Sequence, residues 1–301
     1  MAPSPVARFV CGLLFSGLLS HCALATPLAV LGNETPDQVF LGESQGPLLN
    51  LTTEEVVQHD AVYVDSGPNE DEEKSNSIPS WWTSTLMARR LLALSTTGVV
   101  STIFPDPLPD NMHAPAEVAG QSISLKEYFA DCDEALPSDT SNGGDGNPTF
   151  LALRVATTFR NTAAGSNISL SIDWWDHLND TKPLFPGFPL SAAGLPRVTL
   201  FGYIEPFETP VPEQTEAALR SCYLNAHPDA ETWLPGRPGS PHASFWAKMV
   251  VTQVYWIGGF GGFQQIGWMN VTEWSGIRRE KSLPGVGDGK GWEEVRLPGE
   301  N

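Results

Sequence analysis

The residues best equipped for chemistry sit in three short runs. Asp173-Trp174-Trp175-Asp176-His177 places two carboxylates and an imidazole within five positions, a set of donors that suits a divalent cation. On a strand, however, Asp173 and His177 share one face while Asp176 points away. No second histidine lies nearby, so the run reads as a strand end carrying a surface histidine. His227 stands just before Pro228, where a helix-terminal role is expected. Gly258-Gly259-Phe260-Gly261-Gly262 offers backbone N–H groups to a phosphate, but its spacing is not the dinucleotide fingerprint and no helix follows. It reads as the glycine-rich end of a twisted strand. The chain has no P-loop, no H-E-x-x-H, no C-x-x-C and no G-x-S-x-G, which leaves zinc hydrolysis and the serine-hydrolase elbow unsupported.

The elements that must position these runs follow from periodicity. Thr83 to Ser95 is predicted as a helix capped by Thr83 or Ser84, with Leu86, Leu91, Leu92 and Leu94 on its apolar side. Val99–Phe104 is a β-branched run and a first strand, and Phe150–Phe159 is a second. From Asn167 to Trp174 the apolar residues Ile168, Leu170, Ile172 and Trp174 alternate with Ser169, Ser171 and Asp173. That is the period of a half-buried strand. Val198–Ile204 repeats it. Glu213–Ala226 reads as a helix opened by Pro212 and closed before Pro228, and Ala247–Ile257 is the last strong strand. The strands are not separated by regular helices, which argues against a doubly wound parallel sheet. A small closed barrel with one or two outer helices fits better.

The ends of the chain speak about compartment. Arg8, the apolar stretch Phe9–Leu19 and Ala23-Leu24-Ala25 read as a secretory signal over residues 1–25, the alternative being an N-terminal anchor that stays attached. The apolar stretch is too short to span a bilayer, and no later one is long enough. Five sequons, at Asn33, Asn50, Asn167, Asn179 and Asn270, mark candidate N-glycosylation sites that must face solvent. The formal charge is −18, and removing residues 1–25 takes away one base and no acid. This argues against nucleic acid and anionic membranes as partners. Residues 26–80 are expected to be an acidic, disordered spacer, since Thr26–Glu73 holds eleven acids and no Lys or Arg. One domain is expected over residues 81–280, followed by a loose Gly/Pro-rich tail over 281–301. Cys132 and Cys222 outlast the signal. They either pair, as an oxidising compartment favours, or remain one buried and one loop thiol, because sequence supplies no distance.

The segment ARRLLALSTTGVVSTIF, from Ala88 to Phe104, and the segment from His227 to Gly262, with HPDAETW, then FWAK and a strand ending in aromatics and FGG, resemble the CREG glycoproteins. These are secreted relatives of the pyridoxamine-phosphate-oxidase flavin-binding split barrel. The resemblance runs over about Thr83–Thr272. It implies a mainly β fold with flanking helices, a split β-barrel of the FMN-binding type in one domain. It gives the Cys132–Cys222 pairing no support. It further implies a side-by-side homodimer, N-glycans, a glycoprotein receptor as partner, and a secreted, vacuolar or lysosomal location.

The resemblance also locates the flavin question. Flavin-binding members carry a Ser-x-Lys-x-x-Arg-Asn-like segment whose hydroxyl and cations hold the phosphate, as a dianion requires. Here the matching stretch is Thr157–Asn161, TTFRN. Arg160 and Asn161 are kept and Thr157 stands where the lysine belongs. If FMN binds at all, Thr158, Arg160 and Asn161 are its candidate clamp. The bland reading of Arg160 is a surface residue at a strand end. The favoured expectation is a flavin-less barrel acting by recognition. The first alternative is an FMN-dependent oxidoreductase, in which the flavin carries the hydride. A third is a glycan-binding module using Trp81-Trp82 and Trp174-Trp175 as stacking platforms.

Overall fold

The computed structural model describes residues 78–137 and 144–300. The sequons at Asn33 and Asn50, the expected signal and most of the acidic segment lie outside the described residues. The chain enters at helix α1 (Trp81–Leu94), which starts two residues earlier than the sequence suggests. Ser80 is its N-cap: the Ser80 Oγ accepts the Thr83 N–H at 3.1 Å, while Ser84, a candidate cap, is buried. All of Ser84–Leu92 is buried, including Arg89 and Arg90. This helix is therefore enclosed on every side, not laid on a surface by one apolar stripe.

Among the described residues seven antiparallel strands follow: β1 (Thr97–Ile103), β2 (Ser122–Tyr128), β3 (Thr149–Leu153), β4 (Ile168–Asp173), β5 (Arg197–Pro206), β6 (Ser244–Ile257) and β7 (Ile266–Trp268). Their order is β2-β1-β4-β5-β6-β3, with β7 on β6. The two ends of this path meet just beyond β2. There Ala130 and Thr149 exchange backbone hydrogen bonds of 3.0 and 2.8 Å. The sheet thus curls into a barrel and leaves no long open edge at that seam. Val100, Leu170, Leu200 and Val254 stand directly opposite one another across four strands. None of them is more than 1% exposed. They form one inward layer of a core completed by Met87, Ala88, Leu91 and Leu92 of α1.

Register shifts once, between β5 and β6 after Phe201. The extra residue turns the inward parity of β6 from Ala247 and Met249 to Val254 and Trp256. Gly202 sits at the shift because a Cβ there would lie 1.9 Å from the Val250 carbonyl oxygen. The freed Val251 N–H is taken by the Asn147 Oδ1 at 2.9 Å.

Three expectations change. The strand predicted over Phe150–Phe159 stops at Leu153, and Thr157–Ala163 forms a short helix, α2. β-Prone Thr and Phe are overridden there by the packing of Phe159 into the core. Strands β2 and β7 are absent from the periodicity reading. The tail is not loose: Trp292 and Leu297 are buried, and the Arg90 Nε donates to both Glu300 oxygens at 2.9 and 2.7 Å. Helix α3 (Glu213–Ala226) has the bounds read from the sequence. It packs Leu219 and Tyr223 on the outer face of β3 and β6, against Leu151 and Trp246. Helix α4 (Val271–Gly276) closes against α1.

Candidate functional site

The residues proposed as a phosphate clamp all lie on α2, but they face three ways. Thr158 is buried, and its hydroxyl donates to the Glu127 Oε1 of β2 at 2.6 Å. Asn161 is fully buried, and its Nδ2 donates to the Thr102 Oγ1 of β1 at 3.0 Å. Arg160 turns outward and gives a guanidinium N–H to the Asn111 carbonyl. The hydroxyl and the amide therefore serve to seat α2 on the barrel wall. Burial raises the Glu127 carboxyl above its usual range, and the Thr158 hydroxyl partly offsets that rise. A phosphate at Thr158 would meet this carboxyl group, and the guanidinium of Arg160 on the same helix already donates to backbone. The residues present do not fit the phosphate of FMN.

The other sequence candidates separate in the same way. Asp173 accepts the Trp175 N–H at 3.0 Å and closes the end of β4. His177 stacks on Trp174 with ring centroids 3.5 Å apart and lies 3.8 Å from the Asp180 carboxylate. Among the described residues no three potential ligands converge on a metal. His227 ends α3, is buried, and places its Nε2 2.9 Å from the Phe129 carbonyl oxygen. Gly258–Gln265 is the turn joining β6 to β7, with the Gly258 N–H bonded to the Gln265 oxygen at 3.0 Å. Gly259 (φ 147°) is required there, since a Cβ would press on the Gly194 oxygen at 2.6 Å.

The four tryptophans proposed as stacking platforms are mostly spent on packing. Trp81 lies against the core. The Trp82 Nε1 donates to the Asp288 Oδ1 at 2.7 Å. The Trp174 Nε1 donates to the Pro298 oxygen at 2.9 Å. Trp175 alone of the four is exposed. The three described sequon asparagines, Asn167, Asn179 and Asn270, are all exposed. Asn270 also caps α4, its Oδ1 accepting the Thr272 and Glu273 N–H groups, which leaves its Nδ2 free of that role. Cys132 and Cys222 form a disulfide that ties the turn after β2 to α3.

Sequence reasoning missed a buried polar cluster beside that disulfide. A cleft of about 470 Å³ there is lined by Ser95, Thr96, Asp131, Glu134, Asn225 and Trp292, among others. Behind it lie Arg89 and Asp133, both essentially without solvent exposure. The Arg89 Nη1 donates to the Trp274 and Ile277 carbonyls at 2.8 and 3.0 Å. Its Nε and Nη2, and the Oδ1 atoms of Asp131 and Asp133, are buried with no hydrogen-bond partner. The Asp133 Oδ2 accepts the Asn147 N–H at 2.9 Å. The Asp-Cys-Asp-Glu run at 131–134 was a visible signal, but acids are seldom fully buried, so it reads as surface.

A curled antiparallel barrel closed at one bridge, with a helix buried beneath it and another on its outer wall, defines a β-barrel protein of the split-barrel class. The chain belongs to the CREG β-barrel family, whose model matches residues 79–275. No curated protein sequence matches it significantly. Among solved structures it is similar to a heme-binding protein from Mycobacterium smegmatis, at 18% identity and a TM-score of 0.42, covering 66% of this chain and 61% of that one. It is similar also to General Stress Protein 26 from Bacillus anthracis (12% identity, TM-score 0.34, 59% and 95% covered). A third is a putative pyridoxamine 5'-phosphate oxidase from Lactobacillus delbrueckii (10% identity, TM-score 0.28, 56% and 88% covered). Among the described residues no helix is long and apolar enough to cross a membrane.

Proposed function

We propose that this chain is a secreted or vacuolar glycoprotein whose CREG-type barrel works by binding and recognition, without FMN and without turnover. The observation that carries this reading is the Glu127–Thr158 hydrogen bond of 2.6 Å. It places a carboxyl group where a phosphate clamp needs a free hydroxyl and a cation. The purified protein is expected to be colourless above 350 nm, and to quench no FMN fluorescence saturably up to about 100 μM, a range in which a resident cofactor would be bound. A yellow protein, or saturable quenching in the micromolar range, would overturn the flavin-less reading in favour of the oxidoreductase.

Glycosylation and self-association belong to the same proposal. Exposure of Asn167, Asn179 and Asn270 supports the first, and the family resemblance supports a homodimer and a glycoprotein receptor. Native mass by light scattering, before and after enzymatic deglycosylation, tests both. The expected result is twice the mass of one glycosylated chain, falling on treatment. A mass that does not change on treatment refutes the glycans, and a single-chain mass refutes the dimer.

A further inference from the structure

Two loops at one end of the barrel carry an uncharged aromatic surface. Pro183–Pro196 leads into β5 and Gly258–Gln265 leaves β6, and Arg197 stands opposite Ile257, so both loops lie at the same end. Neither contains a charged residue, in a chain whose formal charge is −18. The rings of Phe185 and Phe188 lie 4.8 Å apart, those of Phe188 and Phe260 5.4 Å, and those of Phe185 and Phe263 6.4 Å. A Cβ on Gly194 would meet the Phe260 ring at 3.1 Å, so the loops touch. Leu184, Phe185, Leu190 and Phe263 are each more than two-fifths exposed. Scattered apolar residues need no explanation, but a contiguous aromatic patch drawn from two loops does.

The shape and the rim of this surface narrow what it meets. Lys182–Gly187 and Gly261–Phe263 are exposed at every position, so both loops stand out from the barrel as tips. Lys182 is the residue before the first loop and Arg197 the residue after it. The Arg197 Nη1 donates to the Ala193 oxygen at 3.4 Å, and the guanidinium lies over the Trp175 ring, 5.9 Å from its centroid. Trp175 is itself exposed. A tip of Phe and Leu is thus bordered by a tryptophan and by two cations on long stems. Lipid interfaces sort side chains in this order. Apolar groups enter the acyl boundary, indole rings stay at headgroup level, and Lys and Arg stretch toward phosphate.

We infer that the surface formed by Phe185, Phe188, Phe260 and Phe263 inserts into the interface of a zwitterionic lipid bilayer, phosphatidylcholine in kind, and seats the barrel on a membrane without spanning it. Charge selects this lipid. The tips are neutral and lose no ion pair on entering it. Asp176 and Asp180 share the short helical segment that carries Trp175, so the rim has no net positive charge. It gains nothing from anionic lipid, which the acidic chain as a whole repels. A second copy fits less well, because two projecting tips offer each other little flat area to bury and two acidic chains repel. Seating on lipid requires neither FMN nor its absence.

The test is co-flotation of the full mature chain with large vesicles of pure phosphatidylcholine at physiological salt. Saturable binding is expected. Phe185→Ser with Phe263→Ser is expected to lower the partition coefficient about tenfold or more. Both side chains are exposed, so the fold should persist, read as an unchanged melting midpoint. Leu184→Ser with Leu190→Ser, in the first loop, is expected to weaken binding as well. Tyr203→Ser removes a comparably exposed ring from β5 and is expected to leave binding unchanged. Phosphatidylserine added to the vesicles is expected to weaken it. No flotation of the parent chain, equal flotation of the Phe185/Phe263 variant, an equal loss in Tyr203→Ser, or tighter binding as phosphatidylserine is added would each overturn the inference. A two-chain mass for the parent that falls to one chain in the Phe185/Phe263 variant would overturn it too, assigning the surface to a second copy.

Discussion

Replacing Cys132 and Cys222 with serine, or reducing their bond, is expected to lower the unfolding free energy by about 2–5 kcal/mol. The bond spans a sequence separation of 90, and closing a loop of that size removes much of the unfolded chain's freedom. On the chain-entropy account this alone is worth about 4–5 kcal/mol. In a domain of this size the midpoint should fall by roughly 10 °C. The loss should be uneven. Helix α3 buries only Thr215, Leu219 and Tyr223, so its hold on the barrel is concentrated at its C-terminal half. There the disulfide acts beside two hydrogen bonds, from the Tyr223 hydroxyl to the Tyr128 oxygen at 3.2 Å and between the His227 Nε2 and the Phe129 oxygen at 2.9 Å. Hydrogen exchange of the double-serine variant should accelerate in Glu213–Ala226 well before it does in β4 and β5. Equal acceleration everywhere would show that the bond restrains the whole barrel, and an unchanged midpoint would show that it is dispensable.

The disulfide also marks where sequence reading stops. Helix α3 was legible to the residue because proline brackets it, and β4 because its alternation is unbroken. Cys132 and Cys222 carry no distance in the sequence, so pairing stayed open. Strand β2 was missed for a different reason. Ser-Ile-Ser-Leu-Lys-Glu-Tyr does alternate, but its inward residues are only half-buried and include Glu127, so too few large apolar side chains signal the period. The overrun of the Phe150 strand into α2 has the opposite cause: Thr157, Thr158 and Phe159 look like strand residues, and only the seating of Phe159 and Asn161 in the core bends them into a helix. The tail was read by its Gly and Pro content, which describes its turns correctly and says nothing of Trp292 and Leu297. For the candidate flavin site, residue types were legible and directions were not. Arg160 and Asn161 match the family segment in sequence, yet one points out and the other in. Glu127 binds Thr158 from 31 positions away, and no local pattern announces that.

The buried cluster around Arg89 should make this protein more stable in mild acid than at neutral pH. Burial pushes the Asp133 carboxyl up to about 7 from an ordinary 3.8. The Asn147 N–H opposes this, Asp131 and Asp145 add to it, and Arg89 acts against it. Arg89 in turn faces Asp131, Asp133, Glu134 and Arg278, so these are the charged groups that set the balance. The sign follows from proton counting. Between pH 4 and 7 the folded chain holds a proton on Asp133 that the unfolded chain has released. Stability therefore falls as pH rises through that window and levels off above it. The size is of order 2–4 kcal/mol for Asp133, and Asp131, also raised by burial, acts in the same direction. Urea unfolding at pH 5, 6, 7 and 8 reads this slope. Asp133→Asn keeps an acceptor for the Asn147 N–H and removes the titration. It is expected to gain stability at pH 8, change little at pH 5, and lose most of the slope. Arg89→Met should do the reverse. It takes the fully buried cation from beside Asp131 and Asp133, costs roughly 3–5 kcal/mol at pH 8 where a buried charge is left unpaired, and costs less at pH 5 where Asp133 is neutral. A pH slope in Asp133→Asn as steep as in the parent chain would remove Asp133 as its source. Equal losses for Arg89→Met at both pH values would mean that the arginine acts through its bonds to the Trp274 and Ile277 carbonyls and not through its charge.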